Sequence, residues 1–536
     1  MRAQPAPRAV TAAARRGALR QLSAHDAGFL YSDTLHSNAN VTLVSIYDQS
    51  TVPGGRLRFK TILAHIESRL ADLPVFRSRL QSVPLGLDHP YWVDDPNFDL
   101  EYHVRHIALP KPGDWRQFCI QASRIHARAL DRNRPLWEVY VVEGLDHLLE
   151  LPPGSFALLT KIHHAAVDAA GGSRIALRLH DATPQVAPPP PPRPWIAQPP
   201  PDRAALLLRA GWHALRAPLQ PRTPLARRLA DAASAARSFA DDLLHHPEQL
   251  AATRFNAVVS PHRVFDTRRF ALAEFDEIRR LVRGATVHDA VLAVCGDALR
   301  RHLLALGELP AAGLSAIAPQ PAAAAAADAE PQLRWQRVPL HTELPDPVAR
   351  LAAISAWRVQ AGAPAADAGA RGQHEAAATL AHSGRLHGLL GLTASRRLPA
   401  AACMVSDVAG PDLALYLHGA RMTYFSAIMP ISDGLGLVFA VTGYDGRVII
   451  SPTSCRELLP DPEAFCQQLR AAFHELLARA RAAAAPRPTG ARAPRSAAAR
   501  GSATGAGSRP APSARTAATA PRAARAGRRR STAPAD

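Results

Sequence analysis

Between Gln185 and Arg203 the chain reads QVAPPPPPRPWIAQPPPDR, nine prolines in nineteen residues. Proline lacks a backbone N–H and fixes φ, so such a stretch enters neither a helix interior nor a sheet ladder. It stays extended and semi-rigid. The chain is therefore cut into two regions, each of which must build its own elements. The organisation this predicts is a disordered basic extension over 1–20, a first region over 21–184, a Pro-rich linker and helical crossover over 185–253, a second region over 254–481, and a disordered Ala/Arg/Pro tail over 482–536.

Both regions mix the two apolar periodicities. RFKTILAHIESRLADL (58–73) sets Ile62, Ile66, Leu70 and Leu73 at helical spacing, and DWRQFCIQASRIHARAL (114–130) does the same behind an Asp N-cap. WEVYVVEGL (137–145) and SFALLTKIHH (155–164) are rich in β-branched and aromatic residues and bounded by Pro and Gly, as strands are. The second region offers a long helix, TVHDAVLAVCGDALRRHLLALG (286–307), and strands at RRFALAEF and GLVFAVTGYDGRVIIS. Residues 204–250 read as helix and PAAAAAADAE (321–330) as a loop. WVDDPNFDLEYH (92–103) reads as a strand with solvated acids, because Phe98, Leu100 and Tyr102 alternate. The fold class is α/β.

A net charge of +18 invites a nucleic-acid reading, which its distribution removes. Residues 1–20 contribute +5 and 481–536 contribute +11, leaving +2 for 21–480. A near-neutral folded part has no basic face interleaved with aromatics, so no specific nucleic-acid partner is expected. The tails are too poor in apolar periodicity to offset ordering entropy. The five cysteines, at 119, 295, 403, 455 and 466, form no CxxC and suggest reduced thiols. No apolar run approaches the ~18 residues of a membrane span.

The chemistry-bearing stretch is KIHHAAVDAAGGSRI (161–175), with His163 and His164 at a strand end, Asp168 four positions on, and Gly171–Gly172 before the next helical run. A histidine near neutral pKa can take a hydroxyl proton and return it to a leaving group. A nearby carboxylate can fix the ring or its loop. His245–His246 supplies an internal control: a histidine pair with neither strand nor aspartate, so the context carries the claim. FHELLAR around His474 and QHEAAAT around His374 begin like HExxH but lack the second histidine, and no metal is expected. GxSxG, P-loop and GxGxxG patterns are absent from the sequence.

The order and wording of several blocks resemble the bacterial wax ester synthase / acyl-CoA:diacylglycerol acyltransferase family. They are LSAHDAGFLY (22–31), PVFRSRL (74–80), WVDDPNFDLEYHVRHIALPKPG (92–113), LDRNRPLWEVYVVEGL (130–145) with Pro135, Leu136 and Trp137, then HHAAVDA, SDVAGP (406–411) with Ser406 and Asp407, and GYDGRVIISPTSCRELLPDPEAF. The resemblance implies the two-domain fold of CoA-dependent acyltransferases related to chloramphenicol acetyltransferase, with an active-site tunnel at the domain interface. It implies transfer from acyl-CoA to diacylglycerol or a long-chain alcohol, with His164 as general base, His163 beside it and Asp168 orienting the loop. It implies no cofactor, acyl-CoA being a substrate, and a cytoplasmic protein peripheral to membrane or lipid inclusions. Five departures stand out: Ala169 for glycine, His288 and Asp407 for asparagines, and Ala318–Ala324 and Arg334–Trp335 for other signature residues. A left-handed backbone at 169 would cost alanine about 1 kcal/mol. The alternative function is a catalytically weak paralogue that binds acyl lipids.

Overall fold

The run SFALLTKIHH yields a strand, β7 (Phe156–His163), buried at every one of its eight positions. That is the pattern of a strand covered on both faces. The computed structural model describes residues 19–145, 151–152, 154–170, 175–186, 195–216, 251–321, 333–361, 401–408, 410–411 and 413–484. The expected tail, the Ala run, His374 and all of 217–250, His245–His246 included, lie outside these residues.

β7 is central in a six-stranded sheet ordered β13 (Tyr416–Leu417), β14 (Ala420–Ile428), β2 (Asn40–Asp48), β7, β6 (Trp137–Glu143), β5 (Val104–Ala108). β5 and β6 are parallel and the other neighbours antiparallel. The parallel pair needs a crossover, which the helix Trp115–Ala127 provides, its start fixed by a capping box between Asp114 and Gln117. A small sheet of β1 (Arg20–Gln21), β4 (Tyr91–Asp94) and β3 (Ser78–Gln81) flanks it.

The second sheet runs β11 (Leu333–Pro339), β10 (Ser315–Pro321), β12 (Cys403–Val408), β15 (Val438–Tyr444), β16 (Arg447–Cys455), β8 (Arg263–Phe265), with β9 (Arg268–Ala271) also on β16. Asp445 and Gly446 both have positive φ and close the β15–β16 hairpin, the two-residue turn that Asp-Gly favours. His418 and Gly419 do the same for β13–β14. The helices Val287–Ala305 and Pro462–Ala484 cover this sheet with one apolar cluster, while the first sheet is packed on both faces.

Three elements differ from the sequence reading. Strand β14, from the second region, pairs with β2 over Thr42–Asp48 in the first sheet. The strand expected over 92–103 stops at Asp94: buried Asp95 accepts the Asn97 N–H at 3.1 Å, and Asp99 caps a short helix, Leu100–His103. These acids close turns instead of lining a solvated strand, which alternation alone does not reveal. RRFALAEF is a strand only to Ala271 and continues as the helix Leu272–Arg279.

Candidate active site

The boundary between strand and helix falls inside the histidine pair. His163 ends β7 and His164 opens the helix His164–Ala170. Both backbone N–H groups are pinned, His163 to the Leu136 carbonyl at 3.0 Å and His164 to that of Ala39 at 2.8 Å. Leu136 of the PLW block thus registers the strand that carries the pair.

The His163 ring is buried and engaged on both nitrogens. Nδ1 accepts the Ala165 N–H at 3.1 Å, and Nε2 lies 3.0 Å from Asp33 Oδ2. An amide N–H can only donate, so Nδ1 is the bare nitrogen and Nε2–H donates to Asp33. Asp33 also receives the Ala39 N–H at 2.8 Å and Arg132 at 2.9 Å. Burial opposes its ionisation, but the hydrogen bonds from His163, Ala39 and Arg132 outweigh this and hold its pKa below the usual carboxylate value.

His164 differs. Its ring is half-buried and stacked on Phe29, centroids 4.0 Å apart at 21°. Phe29 and Asp33 come from one segment, the helix Ala24–Ser32 capped at its C-terminus by Asp33. The segment that begins with LSAHDAGFLY and runs on to Asp33 thus supplies a contact to each histidine. Sequence reasoning missed both, since Asp33 and His163 are 130 residues apart and no spacing rule joins them.

The surrounding frame is polar. Asn38 and Asn40 donate to the carbonyls of Ala127 and Arg128 at 3.0 Å each. Lys161 Nζ donates to the Ile125 carbonyl at 3.0 Å and also to that of Arg128. These three side chains satisfy the carbonyls orphaned at the end of the helix Trp115–Ala127. Burial, partly offset by Glu138, pulls the Lys161 pKa down to about 8. Trp137 stacks between Phe76 at 4.5 Å and His103 at 4.6 Å and donates to the Phe76 carbonyl at 2.8 Å. Three of the quoted blocks therefore meet in one aromatic stack under β6.

Asp168 lies in the helix His164–Ala170, its side chain outside the described residues, as are Gly171 and Gly172. Ala169 is helical, so the position demands no left-handed backbone and alanine suits it. Pro135 precedes β6, and Ser406 is buried on β12 opposite Ala440. The two asparagine replacements come together: His288 Nδ1 is 3.1 Å from Asp407 Oδ2. His288 sits in the first turn of the helix Val287–Ala305, held by the Thr286–Asp289 capping box. Among the described residues no group of three His, Cys, Asp or Glu side chains could hold a metal ion. The five cysteines are free and buried.

Two α/β halves, a strand passed from the second to the first, and a divided histidine pair at a strand-to-helix junction fit the two-domain architecture of an acyltransferase. The chain belongs to the wax ester synthase/diacylglycerol acyltransferase family: residues 22–291 match the family's catalytic-domain model and residues 332–477 its C-terminal-domain model. A putative diacylglycerol O-acyltransferase of Mycobacterium tuberculosis is 32% identical over 483 residues, covering 88% of this chain and 99% of the relative. The O-acyltransferase WSD of Acinetobacter baylyi is 28% identical, covering 73% and 83%. The solved wax ester synthase/diacylglycerol acyltransferase from Marinobacter aquaeolei VT8 shares the fold with a TM-score of 0.62 at 24% identity, covering 86% and 99%.

Proposed function

We propose that the protein moves a fatty acyl group from acyl-CoA to the hydroxyl of diacylglycerol or a long-chain alcohol, with His164 as general base. The observation that carries this reading is the division within the histidine pair: His163 is buried with its ring nitrogens bonded to Asp33 and Ala165, and His164 opens the next helix half-buried against Phe29. In the reaction, His164 takes the acceptor's hydroxyl proton as its oxygen attacks the thioester carbonyl. The tetrahedral intermediate then collapses, the C–S bond breaks, and the imidazolium returns the proton to the CoA thiolate. His163 and Asp33 hold the strand end from which His164 projects, and Asp168 orients the loop beyond it.

The acceptors are lipids, and the helix Arg203–Arg216 suits a lipid surface. It packs on Val83 and Tyr91 through Leu206 and Ala210 and leaves Leu208 and Trp212 exposed, at 76% and 54%. Its sequence, RAALLLRAGWHALR, carries three arginines and no acid, the composition of an interfacial helix at anionic headgroups. Leu85 and Leu87, on the turn beside it, extend the exposed apolar surface.

The test is thiol release from palmitoyl-CoA with diacylglycerol or hexadecanol as acceptor. Turnover should fall by on the order of 10²–10⁴ in His164→Ala, the usual worth of a positioned base. Equal rates in the folded parent and variant would remove His164 from the mechanism. Lipid binding without turnover by the parent would favour a non-catalytic binding protein.

A further inference from the structure

A cavity of about 910 Å³ opens between the helix Trp115–Ala127, strands β8 and β9, and the segment from Arg456 into the helix Pro462–Ala484. Neither histidine of the pair lines it. Its wall carries seven arginines against four acids, and most of the acids are already committed. Asp266 accepts from Trp115 Nε1 at 2.7 Å and pairs with Arg268 at 2.9 Å. Asp114 and Asp461 cap their helices, on the N–H groups of Gln117 at 2.7 Å and Ala464 at 2.9 Å.

The arginines are less committed. Arg116, Arg124, Arg456 and Arg470 are exposed, and among the described residues their side chains have no hydrogen bond or ion pair. Two further groups of the wall, Ser123 Oγ and Arg268 Nε, are buried without a partner. Four exposed guanidinium groups beside buried polar groups with unused hydrogen-bonding capacity suit an anionic ligand.

The cavity also has a defined relation to the catalytic strand. At its inner end Arg263 donates to the His36 carbonyl at 2.8 Å, inside the segment that carries Asp33. Its wall includes Ile46, six residues along β2 from Asn40, which is the register partner of His163. At about 3.4 Å per residue that is about 20 Å. A ligand seated there needs a long arm to bring a reacting group to the histidines.

We propose that this groove binds the phosphorylated nucleotide end of acyl-CoA, with the pantetheine arm running along the helix Trp115–Ala127 toward His164. The proposal rests on the acyl-CoA reading above. Guanidinium groups match phosphate oxygens in planar, bidentate geometry, and exposed Ile120 offers apolar wall between them. Free adenosine 3′,5′-bisphosphate carries the same phosphates without thioester or lipid, so it separates nucleotide recognition from recognition of an anionic headgroup.

The experiment uses the full chain, Arg116→Glu/Arg470→Glu, and the milder Arg116→Gln/Arg470→Gln. Calorimetry reads the affinity for adenosine 3′,5′-bisphosphate. Kinetics read the ratio of kcat/KM for palmitoyl-CoA to that for the palmitoyl thioester of N-acetylcysteamine. Affinity and ratio should both fall, by roughly five-fold for each arginine neutralised, and further on charge reversal. Raising the salt should weaken the bisphosphate in the parent. A parent that turns over palmitoyl-CoA without binding the bisphosphate overturns the groove and leaves the transfer reading standing, as does an unchanged ratio in both variants. Bisphosphate binding that these substitutions abolish, in a parent without turnover, supports the groove and overturns the transfer reading. Anionic vesicles that bind through the same arginines and are not displaced by the bisphosphate assign the groove to lipid headgroups and overturn the proposal.

Discussion

At the scale of single residues, the histidine pair is one motif with two environments. His163 reports to the fold through Asp33, and its hydrogen bond favours the ionised form of that carboxylate. The linkage has a definite sign. The folded pKa of Asp33 lies below its ordinary 3.8, so its contribution is full above that value and drains as the pH falls through the lower, folded one. Asp33→Asn should therefore cost about 1–3 kcal/mol near neutrality, with the gap to the parent closing below about pH 4; urea unfolding across pH reads it. A gap that stays constant with pH would detach the stabilisation from the carboxylate. The pair's place at a strand end was legible because the apolar run stops there and Gly171–Gly172 follow. Asp33 was not, since a hydrogen bond across the fold leaves no trace in local spacing. The departures behave similarly. His288 and Asp407 each read as a lost amide, yet as neighbours they retain a donor and an acceptor. Asp407 is 42% exposed, so solvent screening keeps the pair's contribution small.

At the scale of elements, periodicity and capping signals did well where the solvent-facing and buried sides differ. The helix beginning after Asp114 and the one beginning after Thr286 both start at the capping residue their sequences contain. They failed where polar residues close turns, as in 95–99, because an acid capping a turn and an acid facing water look alike in sequence. Gly410, in the SDVAGP block, shows a constraint of a third kind. A Cβ there would overlap the Gly443 carbonyl oxygen, so close strand approach, and not turn flexibility, requires the glycine. The helix Arg203–Arg216 was expected as a helix, but nothing in RAALLLRAGWHALR tells which leucines a tertiary contact will cover. Leu206 is buried and Leu208 exposed. If the exposed side meets lipid, Leu208→Glu/Trp212→Glu should lower association with vesicles containing anionic lipid by on the order of ten-fold or more, given about 1.5–3 kcal/mol for a buried apolar side chain. Co-sedimentation measures it, and unchanged binding with the fold intact would clear this helix of a membrane role.

At the scale of the whole molecule, the exchanged strand decides how the halves depend on each other. The proline stretch separates two regions in the sequence, and a reader expects each to close its own sheet. Instead β14 leaves the second region and pairs with β2 for most of its length, from Ile428 opposite Thr42 to Arg421 opposite Asp48. β2 in turn pairs with β7, which carries His163. Asp181 and Tyr416 add reciprocal N–H to carbonyl bonds of 2.8 and 2.9 Å, joining the end of the first region to β13. This pairing was hidden because strands that meet across some 380 residues, such as Val44 and Ser426, share no local signal; only the global packing selects them. It carries a consequence for folding. Without the second region, β2 becomes a sheet edge whose nine residues NVTLVSIYD present unpaired N–H and C=O groups and uncovered apolar side chains, the condition for edge-to-edge aggregation. A fragment of residues 1–253 expressed alone should therefore aggregate or remain partly unfolded. Co-expression with 254–484 should return soluble complex, because the missing contact is a strand and strands add in trans by backbone pairing. Size-exclusion chromatography with circular dichroism distinguishes the outcomes. A soluble, cooperatively folded 1–253 would mean that β14 is an ornament on a finished sheet, and the strand that ends in His163 would owe the second region nothing.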